Sequence, residues 1–230
     1  QSFDEYCIEN IFDPLGMDDA YWFLSEIENL NKVAFPHQLA PGLTSSLSVL
    51  ENYGYSDYPA GQLRTTSNNL AKFMITFMNN GMYNGIEILN TETIEIMKTV
   101  HYPNAASDQG LIWYYKNENE RILFGHNGGD IGSSTEMFIS FSDNLGVVLL
   151  SNSNNYDALI QIENAVFDFS ESTNFLISGD VNLDDIINIQ DIILVVNLIL
   201  NDEYFYLADV NLDDVVNIID IVQLINIILN

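Results

Sequence analysis

Asp180-Val-Asn-Leu-Asp-Asp-Ile-Ile-Asn-Ile-Gln-Asp191 returns 29 residues later as Asp209-Val-Asn-Leu-Asp-Asp-Val-Val-Asn-Ile-Ile-Asp220, one unit written twice. In the first copy Asp180, Asn182, Asp184, Asn188 and Asp191 place side-chain oxygens at loop positions 1, 3, 5, 9 and 12. Asp209, Asn211, Asp213, Asn217 and Asp220 do so in the second. At this spacing a single turn of chain wraps a hard cation in carboxylate and amide oxygens, with position 7, Ile186 or Val215, giving its backbone carbonyl. The spacing predicts calcium binding, one ion per loop and two in all. A lone acidic loop of this kind is equally readable as a solvated turn; its return with positions 1, 3, 5, 9 and 12 unchanged favours the ion. Position 6, where a sharp turn usually calls for Gly, is Asp185 and Asp214, a residue type that tolerates the left-handed conformation better than most.

Each loop must be closed by an element that carries position 12. Apolar runs of helix length, Ile192 to Leu200 and Ile221 to Leu229, follow the loops, so Asp191 and Asp220 belong to first turns and point back at the ion. No comparable helix precedes either loop. Between residues 179 and 230 lie ten acidic side chains, Asp180, Asp184, Asp185, Asp191, Asp202, Glu203, Asp209, Asp213, Asp214 and Asp220, and no basic one. All six Lys and Arg (Lys32, Arg64, Lys72, Lys98, Lys116, Arg121) come earlier. The net charge of -27 repels phosphate backbones and anionic lipid, which argues against nucleic-acid and membrane-surface roles. No apolar run approaches the roughly 20 residues that span a bilayer. Cys7 is alone, so no internal disulfide forms.

At 230 residues, 47% hydrophobic and 12% aromatic, the chain has room for one larger globular domain and a small module. It opens on a capping box, Ser2 with Glu5, for a helix to about Phe12 that Pro14 and Gly16 end. Such a start, with no initiator Met and no signal peptide, implies lost upstream sequence. An irregular section with short strands runs to Tyr58. Leu70, Phe73, Met74, Phe77 and Met78 then form a helical stripe behind a Ser67 cap, and Asn79-Asn80-Gly81 stops it. Thr91 caps a shorter helix. From Leu111 the period becomes two, predicting antiparallel strands over 111–115, 122–126, 135–141 and 146–150 with a turn at Asp143-Asn144. A helix over 156–169 should lay Leu159, Ile162, Ala165, Val166 and Phe169 on that sheet. Residues 171–178 read as a linker between a domain at 1–170 and a module at 179–230.

Phe12-Asp-Pro-Leu-Gly-Met17, Pro59-Ala-Gly-Gln-Leu-Arg-Thr-Thr-Ser-Asn-Asn-Leu-Ala-Lys-Phe73 and Gly125-His-Asn-Gly-Gly129 together resemble the class C beta-lactamase-related serine hydrolases, which include beta-lactamases, D-Ala-D-Ala peptidases, D-aminopeptidases and esterases. The resemblance implies an α+β fold, an antiparallel sheet with flanking helices, and acyl transfer through a serine ester. It maps the family's Lys/His-x-Gly box onto His126, Asn127 and Gly128. His126 would hold the substrate's anionic end, Gly128 would admit the substrate backbone, and the Gly129 N–H would be an oxyanion donor. Asn127 stands where a Thr or Ser hydroxyl is common. The pentapeptide alone favours a structural histidine; the other two segments reverse that. His37 and His101 have no partner pattern. The resemblance places the family's Ser-x-x-Lys nucleophile and its Tyr-x-Asn base upstream of the helix that opens this sequence, and no Ser-x-x-Lys occurs in these 230 residues.

The doubled loop and helix resemble a dockerin, a small all-α module with two EF-hand-like calcium loops. That resemblance implies docking on a cohesin domain through loop positions 10 and 11, here Ile189, Gln190, Ile218 and Ile219. Joined, the two resemblances imply an extracellular serine hydrolase carried to a cellulosome-like scaffold. The other reading is a non-catalytic assembly protein whose hydrolase-like domain is a spacer.

Overall fold

The computed structural model describes residues 1–39, 47–172, 177–184, 186–211, 213 and 215–229. The chain divides into two compact units, Gln1–Phe169 and Ser170–Asn230. In the first, the Ser2 N–H donates to Glu5 Oε2 at 2.9 Å and starts α1, Phe3–Cys7. The helix loosens into a π-turn, Ile8–Phe12, tightens again as α2, Asp13–Leu15, and stops at Gly16 with φ 61°. Glycine reaches that left-handed conformation at no steric cost, so the helix outlasts Pro14, which sits at its permitted first turn. Cys7, Phe12 and Leu15 bury themselves with Met17, Ala20 and Trp22.

A small hairpin pairs β1, His37–Leu39, with β2, Leu47–Val49. The N-cap of α3, Ser67–Met78, is Thr66, whose hydroxyl accepts from the Asn69 N–H at 3.2 Å; the cap lies one residue before the one expected. Met74 and Phe77 are its buried stripe. A hairpin the sequence reading missed follows, β3 at Met82–Tyr83 and β4 at Ile86–Glu87. Its turn residues Asn84 and Gly85 have φ of 47° and 78°, the positive pair that an Asn-Gly hairpin turn demands. α4, Thr91–Lys98, is capped by Asn90, which accepts from the Thr93 N–H at 2.8 Å.

The main sheet runs β5 (Tyr114–Glu118), β6 (Arg121–Asp130), β7 (Ser133–Ser140) and β8 (Leu145–Ser151), antiparallel in that order. Phe124 and Ile139 on one face pack with Met74 and Phe77 of α3, Ile94 of α4 and Trp113. Leu123, Phe138 and Val147 on the other face pack with Phe167 of α5, Tyr156–Ser172. Here the expected stripe is out of phase. Leu159, Glu163, Phe167 and Ser170 are buried in α5, while Ile162, Val166 and Phe169 are 40–65% exposed. A charged side chain occupies the inner face because Lys116 meets Glu163 there at 2.7 Å. α5 also continues through Ser172, past the expected start of the linker; residues 173–176 lie outside the described residues.

Gly125 fixes how closely β6 and β7 approach, since a Cβ there would stand 2.0 Å from the Met137 carbonyl oxygen and 2.8 Å from the Phe138 Cα. Backbone cannot retreat as a side chain can. Gly125→Ala is expected to destabilise the first unit by about 1–3 kcal/mol, the range of forced overpacking, read by chemical denaturation.

The second unit is built from α6, Ile189–Asn201, and α7, Ile218–Leu229, each preceded by one acidic loop. Val195, Ala208 and Leu224 form its core, with Val181 and Val210 from the loops packed alongside. Gly179, at φ 97°, lets its N–H reach the Leu207 carbonyl at 2.8 Å, which joins the entry of the first loop to the entry of the second.

Candidate functional site

The pentapeptide Gly125–Gly129 lies wholly within β6, which is longer than its apolar run because Gly and Asn continue the ladder to Asp130↔Ser133. β5 pairs only with Arg121 through Gly125. His126 to Asp130 therefore have β7 on one side and, among the described residues, an open strand edge on the other. His126 is exposed, pairs with Met137, and shares the sheet face of Phe124. Its Nδ1 is hydrogen-bonded to the Asn127 carbonyl, and its ring meets Tyr114 edge-on at 5.6 Å. A Cβ on Gly128 would meet Thr135 Oγ1 at 2.5 Å, whereas one on Gly129 would meet nothing within 4 Å. Gly129 thus has no packing reason to lack a side chain. Space for an approaching substrate is a reason that remains.

Asn127, which stands where a Thr or Ser hydroxyl is common in the resembled box, is already engaged by a neighbour. Alternation turns it to the α5 face, and its amide donates to the Tyr156 hydroxyl at 2.7 Å. Tyr156, a residue sequence reasoning missed, lies in turn beside Glu136; burial first and that carboxylate second push its ionisation far above the ordinary phenol value. Burial, followed by Glu136 and Glu163, pushes Tyr114 up to about 12. Tyr53, whose hydroxyl donates to the Ile131 carbonyl at 2.9 Å, is likewise pushed up to about 12 by burial and then by Asp130. None of these three phenols around β6 is poised as a base. His37 and His101 serve backbone: His37 Nδ1 lies 2.7 Å from the Phe35 carbonyl, and His101 Nε2 2.9 Å from that of Ile96.

The two acidic loops share most of their hydrogen bonds; the first adds Asn182 Nδ2 donating to Gln190 Oε1 at 3.3 Å, and the second adds the Tyr204 hydroxyl donating to Asp209 Oδ2 at 3.2 Å. Asp191 Oδ1 accepts from the Val181 and Asn182 N–H groups at 2.8 and 3.1 Å, and its Oδ2 accepts from Asn188 N–H at 2.8 Å. Asp220 repeats these with Val210, Asn211 and Asn217 at 2.9, 3.3 and 2.8 Å. At position 1, Asp180 accepts from Asp184 N–H and Asp209 from Asp213 N–H, both at 3.1 Å. Asp184 and Asp213 at position 5 accept from Ile186 and Val215 N–H, both at 3.0 Å. Asn188 and Asn217 cap the helices through Gln190 N–H and Ile219 N–H, and their amides hold the position 7 carbonyls of Ile186 and Val215 at 3.2 and 3.3 Å. Positions 1 and 12 are buried in both loops, at 0–2% exposure. Asp185 and Asp214 lie outside the described residues.

Among the described residues, no three acidic, His or Cys side chains already converge as a metal group. The donor set nonetheless suits a hard divalent ion: every side chain is an oxygen donor, amides and backbone carbonyls complete the ring, and four carboxylates are buried in a module without a basic residue. Ile189, Gln190, Ile218 and Ile219 open the first turns of α6 and α7 and are exposed, the three isoleucines at 51–69%.

A family model described as Beta-lactamase matches residues 1–166. The chain belongs to the beta-lactamase family. It is 30% identical over 80 residues to Beta-lactamase-like protein 1 of Dictyostelium discoideum, a match covering 35% of this chain and 12% of that protein. Its first unit shares the fold of the octameric penicillin-binding protein homologue from Pyrococcus abyssi, with a TM-score of 0.59 and 24% identity over 73% of this chain and 38% of that one. It likewise resembles the D-amino acid amidase of Ochrobactrum anthropi SV3, with a TM-score of 0.58 and 18% identity over 75% and 54%. The chain therefore spans about half or less of the length of these relatives. In this beta-lactamase-family unit the three sequence segments are brought together through α3. Leu15 and Met17 cluster with Leu63 and Phe73, Lys72 donates to the Gly16 carbonyl, and Phe77 on the same helix packs on Phe124, two residues before His126.

Proposed function

We propose that the first unit supplies the substrate-binding edge of a serine hydrolase that acts by acyl transfer on a beta-lactam, a D-amino-acid peptide or an ester. The observation that carries this reading is the open edge at His126–Asp130, where an imidazole is exposed and glycines leave room for a substrate lying along the strand. His126 would hold the substrate's anionic end and Gly129 N–H would face the developing oxyanion. The alternative reading is a hydrolase-like spacer in a non-catalytic assembly protein, which needs no Ser-x-x-Lys. The upstream coding sequence separates them: Ser-x-x-Lys followed by Tyr-x-Asn supports catalysis, and an initiator Met just before Gln1 supports the spacer.

The second unit, on our reading, is a dockerin that binds two calcium ions and docks on a cohesin domain of an extracellular scaffold through Ile189, Gln190, Ile218 and Ile219. Asp180, Asn182, Asp184, Ile186, Asn188 and Asp191 would hold the first ion, and Asp209, Asn211, Asp213, Val215, Asn217 and Asp220 the second. Calorimetric titration of the whole chain with Ca²⁺ is expected to give two ions bound, and one after Asp180→Ala or Asp209→Ala, each of which removes a position 1 carboxylate. No uptake by the unsubstituted chain would refute the tether.

A further inference from the structure

Between the sheet and α5, Lys116 of β5 lies 3.1 Å from Glu136 Oε2 of β7 and 2.7 Å from Glu163 Oε2 of α5. Both carboxylates are buried, at 1% and 0% exposure. Their second oxygens, Glu136 Oε1 and Glu163 Oε1, accept no hydrogen bond among the described residues. One ammonium cannot neutralise two carboxylates, so full ionisation leaves net negative charge where hydration is lost and like charges repel. The neighbouring elements bring little relief. β5 adds Tyr114 and Glu118, the latter holding Asn164 Nδ2 at 3.3 Å. Arg121 of β6 is engaged by Asp168 of α5 at 2.6 Å. Burial, joined by Glu136 and Glu118 and only partly offset by Lys116, raises the ionisation of Glu163 above its ordinary 4.5.

This cluster reaches the candidate site through two side chains. Glu136 pairs with Asn127 across β7 and β6, and Tyr156 accepts from the Asn127 amide at 2.7 Å, which brings the phenol under the influence of the Glu136 carboxylate. We propose that Glu163 carries a proton over Lys116 and against the Glu136 carboxylate, and that this proton sets, through Glu136 and Tyr156, how firmly α5 clasps Asn127 and the open edge of β6. The device is independent of the acyl-transfer reading. An acid whose ionisation is raised by folding binds more protons in the folded chain than in the unfolded one between the two values. Stability therefore falls as pH rises from about 4.5 through the folded value, and the loss persists above it.

The test is carbon-detected NMR of side-chain carboxyls on the whole chain in a His126→Gln background, which removes the titration of the adjacent imidazole. Glu163 is expected to titrate above 4.5, with the Asn127 side-chain amide moving at the same midpoint. Tyr156→Phe should preserve the Glu163 titration and abolish the Asn127 response. Glu163→Gln should gain thermal stability over the parent progressively as pH rises above 4.5. Titration of Glu163 at or below its ordinary value, or an Asn127 amide that is flat with pH or that responds unchanged in Tyr156→Phe, would overturn the proposal. The NMR reading decides the matter even if Glu163→Gln does not fold.

Discussion

With a chelator in excess, the whole chain is expected to lose the helical signal and amide protection of α6 and α7 while α3, α5 and the main sheet keep theirs. Asp180, Asp191, Asp209 and Asp220 are buried at 0–2% exposure, in a module with no Lys, Arg or His. Removing an ionised carboxylate from water costs several kcal/mol unless an opposite charge offsets it. Backbone N–H groups supply part of that, three of them on each of Asp191 and Asp220. They carry only partial charge. Two divalent ions would cancel four of the module's ten negative charges. A unit of about 50 to 60 residues gains little from its core alone, and Val195, Ala208 and Leu224 are the core here. Free Ca²⁺ at about 1,000 times its dissociation constant stabilises each occupied site by about 4 kcal/mol, close to the whole stability of a marginal domain. Metal binding and folding of the module should then be one event. Hydrogen exchange measured with and without Ca²⁺ is the check, and equal protection of α6 and α7 in both would dispose of the calcium reading of both loops.

The sequence was legible where one rule acted alone. The α3 stripe and both loop helices follow from apolar spacing, and the caps miss by one residue at Thr66 and Asn90 because neighbouring Ser and Thr offer equivalent oxygens. α5 was misread because its inward face is chosen by pairing as well as by hydropathy. Glu163 faces in to meet Lys116, and Ile162 and Val166 are left outside. No local pattern shows a partner 47 residues away in sequence. The same holds for Asn127. Its position in the Gly-rich box says nothing of Tyr156, 29 residues on, to which its amide donates.

Mixed with a chromogenic beta-lactam or a short-chain ester, the 230 residues are expected to show no burst of acyl-enzyme. They contain no Ser-x-x-Lys, and Tyr53 and Tyr114, with ionisation near 12, stay protonated at neutral pH. Binding groups without an activated nucleophile open no covalent route. A burst would show that another residue of the chain is the nucleophile. In a longer chain that carries the family's nucleophile box, His126→Ala is expected to lower turnover by about 10- to 1,000-fold, the scale of losing one positioned polar group, or about 1.4 to 4 kcal/mol of barrier. Gly129→Ala separates site from scaffold in the same enzyme. Its Cβ would meet nothing within 4 Å, so the folded protein should be as stable as before. Any loss of kcat/KM would then arise where the substrate lies against the strand, whereas unchanged kinetics in both variants would return His126 and Gly129 to a structural role at the end of β6.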